Sequence, residues 1–259
     1  MPRLQTSSGI SIGYTEAGGG DATPIVFLHG VGSDKSVWHP QLDHFGKSRR
    51  SIAFDYPGYG DSDPAPEGTT RDDYAEAIHS AMHALHIERA HVCGLSLGGV
   101  VAIALCHAVP NHCASLILAD TFAVHPDGEA IYQRGIAGSS DLPAMAEARV
   151  DVLIAQPANP AVRSEVVETM ARIDPAAYCV GAKAVWLADQ RERAAQIRMP
   201  ALVVCGTDDK VTPPALSEQL AGLIPGARLE LIAGTGHLGN LERPAEFNAM
   251  VEAFINPLV

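Results

Sequence analysis

Basic side chains are in short supply: 18 lysines and arginines stand against 30 aspartates and glutamates in 259 residues, a formal charge of −12. With no basic cluster to neutralise phosphates, nucleic acid is excluded as a partner. Long apolar runs are missing as well. No segment approaches the roughly 20 residues of a membrane helix, and residues 1–12 lack an apolar core of signal-peptide length. A cytoplasmic protein with no membrane partner is therefore expected. Cysteine occurs five times, at 93, 106, 113, 179 and 205, with no Cys-x-x-Cys spacing. An odd set lying mostly in apolar segments reads as buried free thiols, not as a disulfide framework or a zinc site. Repeats and low-complexity stretches are absent too, and oligomeric state is not legible.

What is present is a globular composition, 47% hydrophobic and 19% charged, in a chain long enough for one sizeable α/β domain. Continuous apolar runs at 24–28, 51–55, 90–93, 115–120 and 201–205 have the character of strands buried on both faces. Residues 10–14 alternate like an edge strand, and 228–232 reads as the last strand. Helical spacing of Tyr74, Ile78, Met82 and Leu85 places a helix over 70–86, and others follow at 100–108, 214–222 and from Pro244. Strand–helix alternation implies a parallel sheet with right-handed crossovers. From Phe122 to about Gln196 the alternation stops, and the stretch is helical, broken at Pro143, Pro157, Pro160 and Pro175. It reads as a lid over the carboxyl edge of the sheet.

The chemistry centres on Gly94-Leu95-Ser96-Leu97-Gly98, set between an apolar strand and a small-residue helix. Gly-x-Ser-x-Gly in that context is a nucleophile elbow, whose tight turn lifts the serine hydroxyl above the sheet edge. A serine hydroxyl needs a base, and the base needs a carboxylate to fix its tautomer. Beyond the strand 201–205 stand Asp208 and Asp209, and beyond 228–232 stands His237, all just past strand ends in the order such a triad requires.

These features resemble the α/β-hydrolases over essentially the whole chain. His29-Gly30 matches the oxyanion loop of that family, with Trp38 following, and residues 55–62 match its Asp-x-x-Gly-x-Gly-x-Ser loop. Within the family, residues 206–214 and 236–244 look most like 3-oxoadipate enol-lactonases and related carboxylesterases. The resemblance implies a mostly parallel sheet flanked by helices, formed by 1–121 and 197–259, with a helical cap at 122–196 inserted after the sixth strand. It selects Asp209 over Asp208 as the acid, making Ser96, His237 and Asp209 the expected catalytic residues. The expected oxyanion donors are the backbone N–H groups of Val31 and Leu97, whose side chains are left free to line the pocket. Further pocket candidates are His29, Phe122, Met145, Ile154, Trp186 and Leu238, with packing inside the lid as the competing reading for its members; His29 also reads as a structural group that bonds nearby backbone and shapes the oxyanion loop.

The implied activity is cofactor-free and metal-free hydrolysis of a small-molecule carboxylic ester or lactone. Two alternatives share the fold: a carbon–carbon bond hydrolase of aromatic ring cleavage, and a ligand receptor with slow turnover. His79, His83 and His86 share a helix face, but no carboxylate or cysteine completes a ligand set, so they read as solvated surface.

Overall fold

The computed structural model describes residues 2–258. Its strands are β1 (Arg3–Gln5), β2 (Ser11–Ala17), β3 (Ile25–Leu28), β4 (Ser51–Phe54), β5 (Ala90–Leu95), β6 (Cys113–Ala119), β7 (Ala201–Gly206) and β8 (Arg228–Ile232). They form one sheet in the order β1-β2-β4-β3-β5-β6-β7-β8, in which β2 runs against both neighbours and all pairings from β4 to β8 are parallel. Residues of β3 to β7 are buried throughout. Successive side chains point to opposite faces. Thus Val26, Leu28, Val92, Leu116, Leu118 and Val203 enter one core layer, while Phe27, Cys93, Ile117, Leu202 and Val204 enter the other. With helices on both faces, these strands have no solvent side to accommodate polar residues, hence their largely apolar sequences, and the buried His91 and Ser115 bond each other at 2.8 Å.

The helices are α1 (His39–Phe45), α2 (Arg71–Ala84), α3 (Leu97–Ala108), α4 (Gly128–Gly138), α5 (Leu142–Leu153), α6 (Pro160–Ala171), α7 (Pro175–Trp186), α8 (Arg191–Gln196), α9 (Pro214–Leu223), α10 (Gly239–Glu242) and α11 (Pro244–Ile255). Helix α2 begins in a reciprocal capping box between Thr70 and Asp73, and it buries Tyr74, Ile78 and Met82. Helix α3 is apolar nearly all round because it is sandwiched between the sheet and its neighbours α2 and α8. Helices α1 and α11 cover the opposite face through Phe45, Phe247 and Val251. No helix among the described residues is long and apolar enough to cross a membrane.

Helices α4 to α8 lie between β6 and β7. Within this insertion α5 packs on α6 and α4 on α7, but α7 also packs on α2 and α3, and α8 on α3 and α9. Its second half is therefore seated on the core. Sequence periodicity did not foresee β1 or α1. Strand β1 is three residues with no apolar alternation and is held by backbone pairing to β2; α1 is two turns long, too short for a periodic signal.

One buried ion pair joins the loops after β3 and β4. Lys35 Nζ reaches Asp55 Oδ2 and Asp61 Oδ2, each at 2.5 Å, and the Lys35 N–H donates to Asp55 Oδ1 at 2.8 Å. Lys35 and Asp55 are both buried, at 4% and 0% exposure. Removing one partner strands the other charge in the interior. Lys35→Met is expected to cost about 3–5 kcal/mol of stability, read from urea unfolding, and a loss below about 1 kcal/mol would show that the pair behaves like a surface contact.

Candidate active site

Ser96 stands between β5 and α3 at φ 55°, ψ −114°, a conformation few side chains adopt. Such strain costs on the order of 1–3 kcal/mol and persists only where the surroundings hold it. Here the Ser96 N–H donates to the Ala119 carbonyl at 2.9 Å, and its own carbonyl accepts from Thr121 Oγ1 at 2.8 Å. Close approach explains the two glycines: a Cβ at position 94 would overlap the Gly98 carbonyl, and one at 98 the Leu28 carbonyl. The elbow thus needs bare backbone where strand, turn and helix cross.

Asp209 lies beyond β7 and His237 beyond β8, adjacent parallel strands, so both loops leave the sheet at the same edge as Ser96. His237 Nδ1 is 2.9 Å from Asp209 Oδ2 and 3.2 Å from Thr212 Oγ1. Asp209 also accepts from the Val211 and Thr212 N–H groups at 2.7 and 3.0 Å and from Thr212 Oγ1 at 2.6 Å. Burial opposes charge on this carboxyl, but the His237 ring and the hydrogen bonds outweigh it and hold its pKa at about 2. Burial likewise opposes charge on His237, and Asp209 outweighs that, raising the imidazole above its ordinary 6.5. Asp208 is exposed and takes a hydrogen bond from Thr207, away from the histidine. The histidine loop is pinned by its own N–H to the Leu153 carbonyl at 2.8 Å, and by Glu242, which accepts from the N–H groups of Gly236 at 2.8 Å and Ala155 at 2.7 Å.

The loop after β3 faces the elbow. Tyr56 and Tyr59 hydroxyls donate to the carbonyls of His29 and Val31, each at 3.3 Å. The N–H groups of Val31 and Leu97 make no hydrogen bond among the described residues. Ser96 and His237 open onto one cavity of about 50 Å³, with no hydrogen bond joining their side chains.

Val31, Trp186 and Leu238 line that cavity. Four other candidates and one side chain do not. His29 is wholly buried behind the loop, its Nδ1 bonded to the Gly30 carbonyl at 2.8 Å and its ring packed on Tyr56 and Tyr59. Burial lowers its pKa and keeps it neutral. Phe122 stacks behind Trp186, with centroids 5.7 Å apart. Met145 faces a neighbouring hollow. Ile154 follows the end of α5 in extended backbone and turns into the core, so Leu153 takes the cavity position. The Leu97 side chain is likewise packed in the core. Residues not foreseen are Thr212, Glu242, and the cavity-lining Arg149, Glu165 and Tyr178. The last three sit in the insertion, where no motif marks them.

Asp120, Cys205 and Asp209 offer ligand atoms within 4.8 Å of one another, the geometry of a cation site. Both Asp209 oxygens are already engaged there, Oδ1 by the Val211 and Thr212 N–H groups and Oδ2 by Thr212 Oγ1 and His237. Burial first, and then the neighbouring Asp209 charge, push the Asp120 carboxyl well above its ordinary range. Burial also raises the Cys205 thiol. Asp120 instead accepts the Gly206 N–H at 2.9 Å, tying the end of β6 to the end of β7. His79 packs edge-on against His112, with centroids 4.8 Å apart.

Residues 25–250 match the family model described as the alpha/beta hydrolase family. Among curated relatives, 3-oxoadipate enol-lactonase 1 of Acinetobacter baylyi is 29% identical over 245 residues, covering 92% of this chain and 90% of that protein. A putative carbamate hydrolase, RutD of Cronobacter turicensis, is 27% identical over 250 residues, with 90% of each covered. The crystal structure of an enol-lactonase from Burkholderia xenovorans LB400 superposes with a TM-score of 0.91 at 29% identity, over 98% of this chain and 99% of that one.

The two shifted groups act at opposite ends of the pH scale. His237 is raised on folding, so its contribution to stability is complete below its ordinary value of 6.5 and is lost as the pH climbs through the raised one. Asp209 is depressed, so its contribution is complete above 3.8 and is lost as the pH falls toward about 2. Asp209→Asn is expected to remove about 2 kcal/mol of acid sensitivity, read as the difference in unfolding free energy between pH 7 and pH 2. An unchanged acid limb would show that Asp209 is not held in its charged form by the fold.

Proposed function

The chain belongs to the alpha/beta hydrolase family, and on that premise we propose that it is a serine hydrolase cleaving a small carboxylic ester or lactone. One observation carries the reading: a buried Asp209–His237 pair opens onto the same cavity as a serine held in strained backbone at a strand–helix elbow. The lactonase names among the relatives support the substrate class.

In this mechanism His237 takes the proton from Ser96 Oγ as the oxygen adds to the ester carbonyl. Asp209 keeps the Nδ1 proton in place and stabilises the imidazolium. The oxyanion is held by the free N–H groups of Val31 and Leu97, the latter at the positive end of α3. His237 then gives its proton to the leaving alcohol, and in a second round activates water to hydrolyse the acyl-serine. Helices α4 to α6 act as the lid that shapes the acyl site. The raised His237 pKa sets the sign of the pH dependence, since only the neutral ring is a base.

Purified protein is expected to hydrolyse short-chain p-nitrophenyl esters, with kcat/KM rising with pH through a midpoint above 6.5. Ser96→Ala is expected to lower kcat by about 10⁴-fold or more. Ester turnover that survives this substitution would overturn the assignment.

A further inference from the structure

Val31 stands between Gly30 and Gly32, so nothing in its immediate sequence stiffens the loop that carries the Val31 N–H. The donor is aimed from outside. In a planar trans peptide the carbonyl and the N–H point in opposite directions. The Gly30 carbonyl, at the far end of the donor's own peptide, accepts from His29 Nδ1 at 2.8 Å and from the Ser33 N–H at 3.3 Å. The next peptide is held by the Tyr59 hydroxyl, which donates to the Val31 carbonyl at 3.3 Å. Val31 is thus fixed on both sides, and the second anchor also meets the insertion.

The Tyr59 hydroxyl is buried against α7. An added Cβ at Gly181 would overlap Tyr59 Oη and come 3.2 Å from Val31 Cγ2. One helical turn earlier Ala177 packs on the same loop, since a Cβ at Gly58 would lie 2.9 Å from Ala177 Cβ. Ala177 and Gly181 therefore present one face of α7 to residues 58 and 59. Glycine weakens a helix interior, and its place in the middle of α7 is explained by the room that Tyr59 and Val31 take. Tyr59 has little freedom of its own: its ring centroid is 4.9 Å from that of His29, and it packs edge-on to Tyr56 at 6.1 Å.

We propose that Tyr59 is a positioning residue for the oxyanion donor, and that α7, through the space left at Gly181, holds its hydroxyl on the Val31 carbonyl, so that the seating of the insertion fixes the aim of the Val31 N–H. The proposal rests on the hydrolase reading above and adds to it a link from the insertion to the oxyanion site. Tyr59 does not line the catalytic cavity and touches no reacting atom. It acts through Val31. Because the oxyanion develops only in the transition state, a donor that is poorly aimed lowers kcat and spares KM.

The test compares a p-nitrophenyl ester with the matching thionoester, whose sulfur accepts hydrogen bonds poorly, in wild type, Tyr59→Phe, Gly181→Ala and the double variant. Tyr59→Phe keeps the ring and removes only the hydroxyl. It is expected to lower kcat for the ester by about 10- to 100-fold, less than the roughly 10²–10³ that follows loss of a whole donor. KM should change little, and the ester-to-thionoester ratio of kcat/KM should fall. Gly181→Ala is expected to act in the same direction, and the double variant to be no slower than Tyr59→Phe alone, because the added methyl then meets no hydroxyl. A ratio unchanged in Tyr59→Phe overturns the proposal even where kcat falls, and Ser96-dependent turnover by wild type then leaves the hydrolase reading intact. If wild type hydrolyses neither substrate, the rate at which a fluorophosphonate modifies Ser96 decides, since its phosphoryl oxygen must enter the same site. A rate lowered about tenfold or more in Tyr59→Phe supports the link, and an equal rate, or no reaction of wild type, removes it.

Discussion

A carboxylate taken out of water is tolerated only if its lone pairs are used, and Asp209 uses four hydrogen bonds to stay charged beneath His237. Much of the surrounding architecture answers that requirement. Val211 and Thr212 must turn back so that two backbone N–H groups and one hydroxyl converge on the same side chain, which fixes the path of the loop before α9. Asp120, one strand over, is pushed the opposite way, its carboxyl raised first by burial and then by the charge on Asp209. It serves as an acceptor that ties β6 to β7.

The parallel sheet brings these groups together although they are far apart in sequence. Strands β3, β5, β6, β7 and β8 all end at one edge, so the loops bearing Val31, Ser96, Asp120, Asp209 and His237 emerge side by side. The insertion is stitched to that edge at several places, two of which contrast in kind. Glu242 and the Leu153 carbonyl join the end of α5 to the histidine loop through three backbone N–H groups. Arg172, at the end of α6, reaches Asp34 beside the loop after β3 at 2.9 Å, but its side chain is half exposed. Exposed ion pairs contribute little, about 0–1 kcal/mol, whereas three backbone bonds to half-buried acceptors are harder to break. The α5 attachment is the firm one.

How much of this is legible in the sequence follows from the kind of signal each part leaves. Central strands and long helices appear because burial on two faces, or on one stripe, forces an apolar pattern. The elbow appears because its turn admits only glycine at 94 and 98. His237 and an aspartate after β7 are legible from their position after strands, and the choice of Asp209 over Asp208 comes from the family resemblance of the segment around it. The cavity wall is not. Leu153 and Ile154 are adjacent and equally apolar, and only the end of α5 decides which faces Ser96. His29 admits both a pocket and a structural reading in the sequence, and the structure places its ring against the Gly30 carbonyl, Tyr56 and Tyr59. Arg149 is one of several arginines in a helical stretch, and nothing in the chain marks it as a cavity residue, since which face of α5 meets the cavity is a property of three-dimensional packing.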